Sequence, residues 1–302
     1  TLDGHTILVD VGTYYEYVTI NKSIALIGED RSTTVIDGNG TGNVTEIIAH
    51  HVNVTGFTIR NGTNGILIKE SDYNIISENI VTDNQQGIHL YATCPCNPVN
   101  ENTIKNNIII KNNEYGILLL NSIDNIIYHN NFINNTNQVY NYNGSINTWD
   151  NGYPSGGNYW SNYTGNDTYS GPYQNVTGSD GIGDTPYEID ADNQDNYPLM
   201  QPYNGSVRNL NTGESYPTIQ EAIDDASEGD AIFALSGTYY EHVTINKSIS
   251  LIGEDKYNTI VDGAGTGTIF QMTANNITIA GFTMQNSGLN VIDGAIYMSN
   301  LS

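Results

Sequence analysis

A Gly-Ile-x-aliphatic pattern recurs at Gly65-Ile-Leu-Ile, Gly87-Ile-His-Leu and Gly116-Ile-Leu-Leu, with the glycines 22 and then 29 residues apart. The runs between them also match: NIISENIVTDN from Asn74, NTIKNNIIIKN from Asn102 and NIIYHNNFINN from Asn125. Each reads as two short alternating strands separated by an Asn-rich turn. One coil of such strands cannot bury its inward Ile and Leu alone. Stacking coils ~4.8 Å apart pairs every strand with its equivalent and joins the apolar side chains into one core. The period therefore predicts an all-β solenoid, a parallel β-helix with coils of about 22 residues.

Alternation sets direction along each strand. Ile88 and Leu90 should point inward and His89 outward, with Leu67, His89 and Leu118 stacking along one outer face. His129 is likewise expected at the surface. Asn79, Asn107 and Asn131 occupy equivalent turns. Two readings fit them: an internal ladder of amides bonded coil to coil, or simple turn formers.

A longer repeat encloses the short one. GTYYEYVTINKSIALIGED from Gly12 returns as GTYYEHVTINKSISLIGED from Gly237, 225 residues later, changed only at Tyr17/His242 and Ala25/Ser250. Ahead of the second copy, YPTIQEAIDDASEGD from Tyr216 predicts a short helix at about 218–226. Thr218 and Glu221 form a capping box, and Ile219, Ala222, Ile223 and Ala226 share one face. Such a helix would cover the open end of a solenoid, where strand edges are otherwise unpaired. On the 225-residue offset Thr1 falls opposite Ala226, so the first copy starts where its own cap would end. The sequence reads as a window on a tandem array. Residues 1–146 form a β-helix module without its cap, 147–203 a closing segment, and 204–302 the start of a second module.

The closing segment is rich in Gly, Tyr, Trp, Asp and Pro. Trp149, Trp160, Tyr153, Tyr159 and Tyr187 suit a compact aromatic core, or alternatively a sugar-binding platform. Asp180, Asp184, Asp190, Asp192 and Asp195 place oxygen ligands at close spacing among glycines, a pattern compatible with structural Ca2+ or with a solvated acidic loop. Cys94-Pro-Cys96 sits in the loop that lengthens the second coil interval. An intraloop disulfide, intermolecular crosslinks and metal binding all remain open.

Thirty-three Asp and Glu against nine Lys and Arg give a net charge of −24, which leaves no basic footprint for nucleic acid. No apolar run approaches the ~20 residues of a membrane span. Asn-x-Ser/Thr acceptors occur at Asn21, Asn39, Asn43, Asn53, Asn61, Asn134, Asn143, Asn162, Asn166, Asn175, Asn204, Asn246, Asn276 and Asn300. That density favours an exported chain carrying N-linked glycans.

The run TIQEAID…GTYYEHVTINKSISLIGED resembles the opening of right-handed parallel β-helix proteins, a group that includes pectin methylesterases and NosD-like repeats. GGNYWSNYTG…DGIGDTPYEID…DNYPLM is similar to a segment that closes NosD-like coils in archaeal, especially methanogen, surface proteins. The resemblance covers nearly the whole chain and implies a right-handed parallel β-helix at a cell envelope. It does not fix the chemistry, because the fold hosts enzymes and scaffolds alike. Sugar hydrolysis on this fold needs paired carboxylates. Asp72, Asp83 and Asp124 are scattered, and Arg60, Lys69, Lys105 and Lys111 occupy different coil positions. His50 and His51 are adjacent and should face opposite sides. Four Met, six His and two Cys form no cluster suited to copper. The expectation is a non-enzymatic structural protein, self-assembling head to tail or laterally into an S-layer, sheath or filament. The alternatives are a carbohydrate-binding or carbohydrate-cleaving β-helix and a surface adhesin.

Overall fold

The computed structural model describes residues 2–298 apart from 143, 154, 179, 180, 204, 206, 213, 214, 236, 291 and 292. The chain divides into two compact units, Thr1–Tyr203 and Asn204–Ser302.

In the first unit three parallel sheets run side by side up a solenoid. The first comprises Thr6–Val9, Ala25–Gly28, Asn53–Thr55, Ile75–Ser77, Thr103–Lys105 and Ile126–Tyr128. The second comprises Gly12–Tyr14, Thr34–Asp37, Thr58–Arg60, Ile80–Thr82, Ile108–Ile110, Asn131–Ile133 and Tyr159–Trp160. The third holds Val18–Ile20, Asn43–Ile47, Asn64–Lys69, Gln86–Tyr91, Tyr115–Leu120 and Asn137–Tyr142. Every strand pairs in parallel with the same strand of the next coil, as the period predicts.

The inward side chains meet in columns. Ile66, Ile88 and Ile117 stand in register and are fully buried, as are Ile76, Ile104 and Ile127. At roughly 1.5–3 kcal/mol per buried aliphatic side chain, these columns carry most of the driving force for coiling. The glycine that begins each Gly-Ile-x-aliphatic run is there for clearance. A Cβ on Gly87 would come 2.5 Å from the Gly116 carbonyl oxygen, and one on Gly116 would come 2.6 Å from that of Gln138.

The second unit begins with a hairpin, Val207–Asn209 against Ser215–Tyr216, which adds antiparallel to Ala231–Ala234. Helix α1, Ile219–Asp225, follows it. The Thr218 hydroxyl accepts from the Glu221 N–H at 3.1 Å, and Ile219, Ala222 and Ile223 are buried. Three short parallel sheets then repeat the coil geometry, among them Ser250–Gly253 beside Thr278–Ala280, and Val243–Ile245 beside Phe270–Met272.

Candidate functional site: asparagine ladders and the segment that ends them

The most elaborate polar structure in the first unit lies inside the solenoid. Three ladders of asparagine side chains follow its three corners. One runs Asn74, Asn102, Asn125, Asn147. A second runs Asn79, Asn107, Asn130, Asn158, and a third Asn84, Asn112, Asn135.

Asn107 shows the chemistry. Its Oδ1 accepts from both the backbone N–H (3.0 Å) and the Nδ2 (3.1 Å) of Asn79, one coil earlier. Its Nδ2 donates to the carbonyls of Ile76 and Lys105 and to Asn130 Oδ1, at 2.8, 2.9 and 2.9 Å. The amide thereby satisfies backbone groups that the corner withdraws from the sheets and from water. Ladder asparagines from Asn74 to Asn135 each follow a residue in the left-handed region, such as Glu78 (φ 55°), Asn106 (φ 59°) and His129 (φ 55°). A non-glycine residue there costs about 1–2 kcal/mol, which the ladder bonds offset.

The sequence expectation of a ladder is met, with one correction. Asn130, not Asn131, is the rung after Asn107. The rung is the residue just before each strand of the second sheet, and Asn131 is already the first residue of its strand. Its side chain instead bonds both backbone groups of Tyr203, each at 2.6 Å.

The closing segment terminates two of the ladders. Asn193 Oδ1 accepts from the Asn147 N–H (2.9 Å) and from Trp149 Nε1 (3.2 Å), while its Nδ2 is held by Asp190. Asp195 Oδ2 accepts from the Asn158 N–H (2.7 Å) and Trp160 Nε1 (2.9 Å), and Oδ1 from the Tyr197 N–H (3.0 Å). A carboxylate, which only accepts, is a chemically apt end for a run of donors. Burial pushes the Asp195 carboxyl up to about 7, against the pull of those three donors. Trp149 and Trp160 are buried, and Trp160 is stacked between Phe132 and Tyr187 with ring centroids 4.2 Å away on each side. Both indoles therefore belong to the core and neither offers a free face to a sugar.

The other candidate residues fall as follows. Asp184 accepts from the Thr168 and Tyr169 backbone N–H groups and the Thr168 hydroxyl. Asp192 is exposed, and its N–H bonds Asp190 at 2.9 Å. Asp180 lies outside the described residues. Among the described residues no three His, Cys, Asp or Glu side chains converge as a metal site would require. Cys94 and Cys96 are joined to each other.

Of the glycan acceptors, Asn21, Asn39, Asn134, Asn162, Asn166, Asn175, Asn246 and Asn276 are exposed. Asn43, Asn53 and Asn61 are half-buried, and the Asn61 amide, the atom a glycan would occupy, donates to both oxygens of Asp37. Asn143, Asn204 and Asn300 lie outside the described residues. Asn134 and Asn162 line a polar cleft of about 380 Å³ with Gln138, Ser161, Tyr187 and Glu188.

The histidines correct a second expectation. Leu67, His89 and Leu118 do stand in register on the outer side of the third sheet. His89 is nevertheless largely covered: Leu67 and Leu118 flank it from the neighbouring strands, the Tyr91 ring of its own strand lies 5.6 Å away, and burial pulls its pKa down to about 4. His129 is buried against Tyr203 (4.2 Å) and near Ser155, and burial likewise pulls it down to about 4. Alternation tells which side of a sheet a residue takes; it does not tell how closely the neighbours shut over it. His50 lies 3.5 Å from Asp72, and His51 stacks on Tyr73 at 5.0 Å.

Residues 15–165, half of the chain, match the family described as periplasmic copper-binding protein (NosD). The chain belongs to the NosD family. A stretch of 102 residues is 38% identical to a cell surface glycoprotein of Methanothermus fervidus, covering 32% of this chain and 16% of that protein. Among solved structures, an alginate lyase from Paenibacillus sp. aligns over 97% of this chain and 92% of its own, at 13% identity and a TM-score of 0.35. The PL6 family alginate lyase AlyGC aligns over 100% and 72%, at 11% identity and a TM-score of 0.27. Likeness at that level carries no functional argument. Nor do the described residues of this NosD-family chain fit copper. Its cysteines are bonded to each other, and His129 is held by the Ser155 carbonyl at 2.8 Å. No helix among the described residues is long and apolar enough to cross a membrane.

Proposed function

We propose that this chain is a stretch of a structural cell-surface glycoprotein whose tandem β-helix modules assemble into an S-layer, sheath or extracellular filament. The observation that carries the reading is the fidelity of the long repeat. Gly4 N–H to Ser23 O is 2.7 Å, and Gly229 N–H to Ser248 O is 2.7 Å. The Ser23 N–H bonds Asp3, and the Ser248 N–H bonds Glu228. Tyr14 and Tyr239 donate to the carbonyls of Asp10 and Leu235. A polypeptide that builds the same coil twice, with these bonds at the same positions, is replicating a building element. Family membership, the surface glycoprotein relative and the exposed acceptors support the same setting. Solenoid edges and head-to-tail contacts that do not close give linear growth.

Electron microscopy of the purified chain, with calcium and with a chelator, tests the reading. Ordered polymers in either condition are the expected result. Monodisperse particles in both would overturn it.

A second reading has one observation of its own. Tyr115, Tyr140 and Tyr142 stack along the outer side of the third sheet, with centroids 4.9 and 6.4 Å apart, and Tyr140 and Tyr142 are exposed. Such a row suits a polysaccharide chain. Oligosaccharide binding that is lost in Tyr140→Ala, with no polymers formed, would favour this reading over assembly.

A further inference from the structure

We infer that the open coil edge formed by Thr6–Val9 and Val18–Ile20 is a receiving face for an amphipathic capping helix of the α1 kind. The inference goes beyond the assembly reading and holds equally for a protein that never polymerises.

The second unit shows how such a helix is held. α1 packs against Ala231–Ala234 and Val243–Ile245, whose inward residues Ile232, Ala234 and Val243 are 0%, 0% and 1% exposed. Three positions of the coil grip it. The Glu241 carboxylate accepts from the Ile219 and Gln220 N–H groups, both at 2.9 Å, at the start of the helix. The Gln220 side chain pairs with both backbone groups of Thr244, at 2.7 and 3.2 Å, standing in for a neighbouring strand. Lys247 Nζ donates to the carbonyls of Ile223, Asp224 and Ala226, at 3.1, 2.6 and 2.7 Å, at the helix end. Negative charge at the first turn and positive charge at the last also suit the helix dipole, and the last-turn carbonyls are the ones a helix leaves short of N–H donors, with Ile223 also accepting from the Ala226 N–H at 3.2 Å.

The 225-residue offset places Glu16, Thr19 and Lys22 at the same three positions, residue for residue identical. In the first unit all three are exposed, and Ile7, Val9 and Val18 beneath them are only partly buried. Several coil bonds that do not involve the cap recur in both copies, among them Gly4 to Ser23 and Gly229 to Ser248, whereas the bonds to Glu241, Thr244 and Lys247 all run to α1. Glu, Thr and Lys at those positions match the two ends and the flank of one helical turn set. The occupant must offer free N–H donors, a Gln at its second position, an Ile-x-x-Ala-Ile face and terminal carbonyls. The Val207–Ala226 segment is such a cap.

The test extends the full chain at its N-terminus with a copy of residues 205–225, which the offset brings into register with Thr1. Hydrogen exchange read by mass spectrometry follows residues 6–9, which read TILV against AIFA in the second copy, and residues 18–20, which are identical in the two copies but lie in peptides told apart by Tyr17 against His242. Exchange there should slow about tenfold or more in the extended chain. Glu16→Ala and Lys22→Ala should each give back about fivefold of it, the size of a lost helix cap. In the chain without the extension the same substitutions should change nothing. Glu241→Ala and Lys247→Ala, read at α1 itself, calibrate how much a working clamp contributes. Unchanged exchange on extension would overturn the inference. So would full protection in the Glu16→Ala/Lys22→Ala double variant, which would leave strand pairing as the sole contact. Protection that is already present without the extension and disappears on dilution would assign the face to a second copy, and would equally overturn it.

Discussion

The corner between the first and second sheets is built in two ways within one solenoid. In the early coils it is made of glycine. Gly56 takes φ +83°, lies against Gly28 and is followed by buried Phe57. The second unit repeats this with Gly281 (φ +80°) against Gly253, followed by Phe282. In the later coils the glycine becomes Glu78, Asn106 or His129, and the phenylalanine becomes Asn79, Asn107 or Asn130. The two kinds of corner join directly, since the Phe57 N–H donates to Asn79 Oδ1 at 3.1 Å. The apolar corner keeps strain low through glycine and gains by burying a ring. The polar corner accepts strained backbone and recovers it through amide bonds that run from coil to coil. The glycine corner has single side-chain links between coils, such as Thr58 Oγ1 to the Arg31 carbonyl at 2.6 Å, whereas the polar corner runs an unbroken chain of amide bonds from Asn79 to Asn158, so the later coils should behave as one cooperative block.

Asn107→Leu should break that block most severely. It keeps the volume but takes the Asn107 side chain away from the Asn79 N–H and the Ile76 carbonyl, while Asn79 Nδ2 keeps the Val54 and Ser77 carbonyls and Asn130 Oδ1 keeps the Asn107 N–H. At about 1–3 kcal/mol for each of these two buried groups, the loss should be about 4 kcal/mol. Urea denaturation of the full chain, followed by tryptophan fluorescence from Trp149 and Trp160, reads the first unit alone, since the chain's two tryptophans both lie there. A loss under about 1 kcal/mol would reduce the ladder to ornament.

The glycine corner should fail differently. Gly56→Ala places a Cβ 2.4 Å from the Gly28 carbonyl oxygen on a backbone at φ +83°, and should cost about 3 kcal/mol. Glu78→Gly, one coil on at the same corner, removes the left-handed penalty while adding chain entropy, and should stay within about 1 kcal/mol of the parent. Equal costs at the two sites would mean that the corners are not alternatives after all.

Much of this was legible in the residues, and the gaps have physical reasons. The parallel coils, the helix from Ile219 and its Thr218 cap follow from periodicity and capping rules. Coil length was legible only as an average. Thr6 pairs with Ala25, Ala25 with Asn53, and Asn53 with Ile75, so successive steps of one sheet differ widely where a corner takes up a loop. The rung at Asn130 was misplaced by one because His-Asn-Asn offers two candidates, and only the strand boundary decides between them. Asn193 and Asp195 carry no local signal for their role. Asn193 lies 46 residues beyond Asn147 and Asp195 lies 37 beyond Asn158, with irregular chain between. The acidity of Asp195 suggested an ion; the bonds it makes are those of a ladder end. The signal that was available is chemical: a run of amide donors needs a final acceptor.

The smallest effect, about 1 kcal/mol, separates the apolar start of the first unit from its acidic end. Asp195 titrates at about 7 when folded and in the ordinary carboxylate range when unfolded. Between those values the folded form holds a proton that the unfolded form has released. Stability from this group therefore falls as pH rises through about 4 to 7. His89 and His129 act in the opposite sense. Burial lowers both to about 4, so the unfolded chain takes up protons first and stability is lost as pH falls from about 6.5 toward 4. Two histidines outweigh one aspartate up to about pH 7, and above it the opposing contributions nearly cancel. The first unit should thus gain stability up to about pH 7, with Asp195 taking back about 1 kcal/mol of the histidine gain between pH 6 and 7. In Asp195→Asn, whose amide oxygen can still accept at the ladder end, that opposing contribution should vanish and the rise between pH 6 and 7 should steepen by about 1 kcal/mol. Urea midpoints across pH 4 to 8 check both contributions. An unchanged slope in Asp195→Asn would locate the proton elsewhere and leave the acidic terminus chemically equivalent to one more asparagine rung.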